Sequence, residues 1–186
     1  MEDCQRIYPS APVGLIVALV MFVVSGIAGS IRLQLEAFEG ETLMKIPQTV
    51  REVIEKGPLA HLTTLNRDGS PQVTVVWVGI EDEEFVMAHL AMHQKVKNIR
   101  RDPRVALSLL SDKTNAAGMR EYVVVHGKAR VTDGGAVNLL QRLAPIYLGP
   151  GAEYPPTSMR NIAGYVTRIT PVRFSGIGPW VSQAAG

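Results

Sequence analysis

Two strand-length runs separated by a five-residue turn constrain this chain more than any other feature. Residues 59–65 (LAHLTTL) and 71–80 (PQVTVVWVGI) flank Asn66-Arg67-Asp68-Gly69-Ser70. The Asp-Gly pair supplies the residue that accepts a positive φ, and the Val-rich second run suits a paired, half-buried strand. The spacing predicts a β-hairpin, which commits this part of the chain to an antiparallel sheet.

The rest of the chain extends that sheet. Residues 85–89, 105–110 and 122–131 read as further strands, and residues 165–170 carry the last one, with Pro171 at its bend. Gly127, inside the fifth run, signals a bulge or a close backbone approach. Residues 112–121 read as a polar loop, and residues 153–160 as a proline-rich one. Three short helices are expected: over 47–56, where Val50, Val53 and Ile54 make one stripe; at the basic turn 93–104; and over 134–148, where Leu139, Leu140, Leu143, Ile146 and Tyr147 share a face. No βαβ alternation and no GxGxxG fingerprint supports a doubly wound fold. The expected fold is mainly β with short helices, a six-stranded split β-barrel over residues 44–186, preceded by an apolar N-terminal helix.

Residues 1–43 differ in character from the remainder of the chain. No charged residue occurs between Ile7 and Ile31, and residues 13–31 approach the length that spans a bilayer core. Three readings stay open: a membrane anchor making contact through residues 13–31, a cleaved signal, and translated sequence upstream of a start at Met44. The sole cysteine, Cys4, excludes an intramolecular disulfide and suits a reducing, cytoplasmic location, with membrane anchoring as the alternative.

The charge balance narrows the partners. From Met44 onward there are 17 basic and 12 acidic groups, a net of +5. Basic charge without aromatic–basic interleaving suits a small polyanion better than nucleic acid, which is not expected as a partner. Five of the nineteen Lys and Arg residues fall within positions 93–104. A basic helical turn between two strands is a natural anion site. The run Glu81-Asp82-Glu83-Glu84 reads instead as a solvated hairpin tip, because consecutive residues point apart and do not converge on a metal. His89 and His93 have i, i+4 spacing but straddle a strand end and a loop, so no metal site is expected. His61 and His126 read as structural strand residues. No serine sits in a nucleophile elbow, and no catalytic side chain is assigned.

The segments 62–72 (LTTLNRDGSPQ), 75–77 (VVW), 95–105 (KVKNIRRDPRV) and 126–129 (HGKA), with 168–173 (RITPVR) and 178–180 (GPW), resemble the pyridoxamine 5'-phosphate oxidase-like split-barrel superfamily. Within it the likeness is greatest to the coenzyme F-420-dependent flavin/deazaflavin oxidoreductases. The resemblance implies a homodimer with a cofactor at the interface and a small organic substrate. It implies that Lys95 binds the cofactor phosphate, with Gln94 where the FMN oxidases often carry arginine. It places Ala88 and His89 beside the ring or its ribityl chain, and Thr74, Val75, Val76 and Trp77 on the ring face. Asn98 belongs to the same motif and is counted with the cofactor-binding residues. Trp180 is expected to cover the site from the partner subunit. The departure at Gln94 and the basic domain favour coenzyme F-420, whose acidic tail Lys97, Arg100, Arg101 or Arg104 could meet. FMN is the alternative cofactor, with an oxidase of the pyridoxamine phosphate type as the alternative function. A non-catalytic flavin or deazaflavin carrier or sensor is a third reading.

Overall fold

The computed structural model describes residues 44–181. The N-terminal helix, its membrane contact and the division at residue 43 lie outside the described residues. Among the described residues no helix is long and apolar enough to cross a membrane.

The strands are β1 (Ala60–Leu65), β2 (Pro71–Val76), β3 (Gly79–Glu81), β4 (Glu84–His89), β5 (Arg104–Thr114), β6 (Arg120–Asp133) and β7 (Tyr165–Ile177). The helices are α1 (Gln48–Glu55), α2 (Gln94–Arg101) and α3 (Ala136–Leu148), and a short 3-10 turn spans Thr157–Met159. All pairings are antiparallel, in the order β2-β1-β5-β6-β7-β4-β3.

The expected hairpin forms, with Ala60 opposite Val76 and Leu65 opposite Pro71. Gly69 adopts φ 84° in its turn, where a β-carbon would be strained. The sheet has seven strands where six were expected. The run 71–80 breaks at Trp77-Val78, and Gly79–Glu81 leaves β2 to pair with β4. Nothing local marks that break, since Trp77 and Val78 are themselves good strand residues. The loop expected over 112–121 is also shorter, because β5 and β6 extend into it as far as Thr114 and Arg120.

The break has a topological consequence. β2 and β3 are the two edges of the sheet, yet only Trp77 and Val78 join them. Three virtual bonds reach at most about 11 Å, so the edges must meet and the sheet must curl on itself. This is the seam of a split barrel. Tyr147 of α3 pins it: its hydroxyl accepts from Val78 N at 2.9 Å and donates toward Val78 O at 2.9 Å or Pro58 O at 3.2 Å.

Inward side chains fill the barrel. Leu62, Leu107, Leu109, Val123, Val125, Phe85, Met87 and Ile169 are buried there, and α1 adds Val50, Val53 and Ile54. The register of β6 against β7 shifts between His126 and Gly127. A β-carbon on Gly127 would stand 2.6 Å from Thr170 O, so the close approach read from the sequence is real.

The carboxylate run is not a solvated tip. Asp82 and Glu83 turn the β3–β4 hairpin with φ 47° and 61°. Glu81 accepts from Arg142 and Arg168, Glu83 from Arg51 and Ile46 N, and Glu84 from Arg130 and Thr170. Glu84 is buried, yet Arg130 and Thr170 hold its carboxyl below the usual range against the opposing effect of burial. Alternating side-chain directions carry these carboxylates to different partners, and so anchor the hairpin tip to α1, α3 and the long strands.

Candidate functional site

A cleft of about 280 Å³ opens at the seam. Val75, Val76 and Trp77 line it from the end of β2, and Ala88, His89 and Leu90 from the end of β4. His93 and Lys95 come from the start of α2, Leu140 from α3, and Tyr154 from the loop after α3. The cleft lies here because the two sheet edges are brought together by two residues and do not hydrogen-bond each other as a ladder.

One wall is aromatic. The indole of Trp77 stacks on the Tyr147 ring at 5.1 Å and 7°, and Tyr154 meets it edge-on at 5.4 Å and 64°. Such contacts hold a flat surface in a fixed plane. The other side is basic. Lys95 is half-buried and makes no ion pair among the described residues, and burial pulls its ammonium below the usual lysine range. The amides of Gln94 and Lys95 precede the first helical hydrogen bonds, which Val96 and Lys97 give to His93 O. An unmatched ammonium beside the open amides of a helix start is a donor set that suits a phosphate.

His89 sits between the two walls. It is buried, with Nε2 3.0 Å from Thr167 Oγ1. Burial, with the nearby charges of Lys95 and His93, pushes its pKa down to about 3. The imidazole is therefore neutral at physiological pH, offering one nitrogen to Thr167 and an apolar face to the cleft.

Six of the ten residues implied by the resemblance meet in this cleft: Val75, Val76, Trp77, Ala88, His89 and Lys95. Thr74 is next in β2 but does not line it; its hydroxyl is buried without a hydrogen-bond partner among the described residues. Asn98 and Gln94 point elsewhere. Asn98 is fully buried, and its amide nitrogen lies 3.1 Å from Thr64 Oγ1, 3.0 Å from Asn66 Oδ1 and 3.3 Å from Gln72 Oε1. Gln94 Nε2 donates to Asn98 Oδ1 at 2.9 Å. Asn98 bolts α2 to the β1–β2 hairpin, with Gln94 bracing the Asn98 amide from within the helix, and so helps hold Lys95 in place. Trp180 is not at the cleft either. Its indole is buried in this chain's own core and donates to Tyr122 O at 3.1 Å.

The basic residues of α2 and the start of β5 divide in the same way. Arg100 pairs with Asp133 at 2.6 Å and lies over the Tyr165 ring, Arg101 donates to Leu65 O, and Arg104 pairs with Asp102 at 2.7 Å. Leu90, Leu140, His93 and Tyr154 were missed from sequence. Leu140 was seen only as part of a helix face, and Tyr154 lies in a loop whose path depends on distant contacts.

No curated protein matches the chain. An F-420 reductase of known structure is 26% identical over 70% of this chain and 98% of its own, with a TM-score of 0.57. A conserved hypothetical protein from Mycobacterium tuberculosis is 22% identical over 73% of this chain and 87% of its own, TM-score 0.55. The heme storage protein HutZ from Vibrio cholerae is 14% identical over 72% and 95%, TM-score 0.51. The last two likenesses concern the fold alone. The sequence profile of pyridoxamine 5'-phosphate oxidase matches residues 46–177. With that match covering most of the chain, and the seam and its cleft in place, the chain belongs to the pyridoxamine 5'-phosphate oxidase family.

Proposed function

We propose that this protein is a coenzyme F-420-dependent oxidoreductase, moving hydride between the reduced deazaflavin and a small organic molecule. The observation that carries the reading is Lys95: a half-buried ammonium without a carboxylate partner among the described residues, at a cleft walled by Trp77 and Tyr154. A ligand with a phosphate and a flat ring satisfies both ends at once. The cofactor supplies the hydride chemistry when bound. The chain's part is to grip the phosphate, orient the ring against Trp77, and keep a neutral His89 beside it.

The 26% likeness to an F-420 reductase supports the deazaflavin. FMN is the second reading, favoured by the family match itself. Gln94 decides less than its position in the sequence suggests, since its amide is engaged with Asn98. Arg100 and Arg104 are matched by aspartates, which leaves Lys97 as the α2 group most open to an acidic tail.

A second copy of the chain is part of the proposal. Val73 and Val75 of β2, opposite Thr63 and His61, share an outer face with Ala106, Ser108 and Leu110. Val73, Val75 and Leu110 are 58%, 53% and 55% exposed, an apolar strip more typical of an interface than of a free surface. Val75 also lines the cleft, so a partner on this face would border the site. Val73→Asp is expected to shift sedimentation from dimer to monomer.

The deciding experiment is fluorescence titration of the full chain with coenzyme F-420 and with FMN, alongside Lys95→Ala. Tight F-420 binding lost in the variant is the expected result. FMN binding without F-420 binding would replace the first reading by the second, and unchanged affinity in the variant would remove the phosphate assignment.

A further inference from the structure

The apolar strip of Val73, Val75 and Leu110 is part of a wider outer face. The register carries that face across the sheet: Ser108 stands opposite His61 and Val124, and Val124 opposite Ser175. In the adjoining row Ala106 stands opposite Thr63 and His126, and His126 opposite Arg173. None of these residues is buried in the single chain, and none is acidic. We propose that this face is an acid-gated self-association surface: two copies pair through it while His126 is neutral and part when His126 is protonated. The inference rests on the pairing of two copies already proposed for this face.

The polar groups favour a copy of the same chain as the occupant. Thr63, Ser108 and Ser175 carry hydroxyls, and His61 and His126 carry imidazoles. A hydroxyl or a neutral imidazole both donates and accepts, so each can meet its own kind across a two-fold axis. A fixed charge cannot. The one in these two rows, Arg173, stands on β7, three strands from β1 and away from the strip. His126 is placed to decide the balance. It is half-buried, with Nε2 3.2 Å from Ser175 Oγ. Burial, with Arg173 nearby, holds it below the ordinary histidine range, so the ring is neutral at physiological pH. The charged groups around it are basic: Arg173 of β7, Lys128 two residues on in β6, and Arg104 of β5 opposite Lys128, itself matched by Asp102. His61 of β1 adds a second titratable ring across β5. Protonating His126 therefore sets a cation among cations. Pairing two such faces doubles the conflict and removes the water that screens it.

The test is analytical ultracentrifugation of the full chain at about pH 8 and about pH 5.5, on either side of the ordinary histidine value. Far-UV circular dichroism of each sample confirms that the chain is folded. Pairing buries the ring further, so the free chain takes the proton and the dimer does not. The dimer Kd is expected to rise as pH falls below about 6.5, by up to about tenfold per pH unit for each His126 and so up to about 100-fold for the pair. His126→Gln keeps a side chain that donates and accepts but does not titrate, and is expected to hold the dimer at about pH 5.5. His126→Lys is expected to be monomeric at about pH 8, which tests the gate without acid. The proposal is overturned if the parent pairs equally well at both pH values, if His126→Gln parts in acid as the parent does, or if His126→Lys remains a dimer. Association that persists in Val73→Asp would place the contact on another surface and overturn it as well. A parent that is monomeric at about pH 8 would instead overturn the pairing of two copies itself.

Discussion

Two clefts of nearly equal size open on this barrel, about 280 Å³ at the seam and about 300 Å³ between α1, the β3–β4 hairpin and α3. Volume does not tell them apart; the state of their polar groups does. In the larger one Arg51 is matched by Glu83 and Arg142 by Glu81, over a floor that includes Ile54, Ile80, Leu139 and Leu143. In the seam cleft Lys95 has no acid partner among the described residues and the Tyr154 hydroxyl has no hydrogen bond among them. Matched charges fasten elements together. Unmatched polar groups beside an aromatic wall carry a desolvation cost that a ligand can relieve.

The comparison can be broken most forcefully by enlarging the groove. Leu143 is buried, and Leu143→Ala should cost about 3 kcal/mol of stability in denaturant titration. The enlarged groove should bind neither cofactor, and binding there would show that volume had been the deciding quantity. Next in size is Lys95→Ala, expected to weaken a phosphate-bearing cofactor about 30-fold, roughly 2 kcal/mol. Its melting temperature should stay the same or rise, because burial already disfavours the ammonium. A clear drop in stability would place Lys95 with the fastening groups.

Acid sharpens the contrast. The His89 pKa is depressed to about 3 in the folded chain, against an ordinary value of 6.5. Between those values the unfolded chain binds the proton and the folded chain does not. Stability therefore falls as pH drops from about 6.5 toward 3, by up to about 1.4 kcal/mol per pH unit. His89→Gln should flatten that slope in chemical unfolding measured across the same range. The smallest effect is expected from Glu81→Gln, which weakens the contacts to Arg142 and Arg168. These side chains are 62% and 24% exposed, so water offsets much of the loss and about 1 kcal/mol is expected, with no change in cofactor affinity.

What could be read from the sequence was what short-range patterns determine. The Asp68-Gly69 turn fixed the β1–β2 hairpin and Gly127 marked the close approach to β7, while Lys95 at the cleft was what the resemblance of the 95–105 segment implied. What escaped depended on partners far along the chain. Gly79-Ile80-Glu81 continues β2 in composition and is a separate strand only because it pairs with β4. Asn98 shares a motif with Lys95 but faces Thr64, 34 residues away, and so supports the site without lining it. Trp180 does not line this chain's cleft, because the Tyr122 carbonyl and an apolar core claim its indole. The residues 81–84 looked like one solvated run because their arginine partners are up to 87 residues distant.

The two-residue bridge between β2 and β3 also bears on how this scaffold can change. Trp77 and Val78 form a covalent spacer, so the width of the slot is set by chain length and not by an equilibrium between open and closed forms. The wall formed by Tyr154 is different: it hangs on a loop between Gly149 and Arg160 that enters no strand of the barrel. Substitutions or insertions there can reshape what is admitted while the slot keeps its gauge. Diversification of the ligand repertoire should therefore concentrate in that loop and spare the spacer.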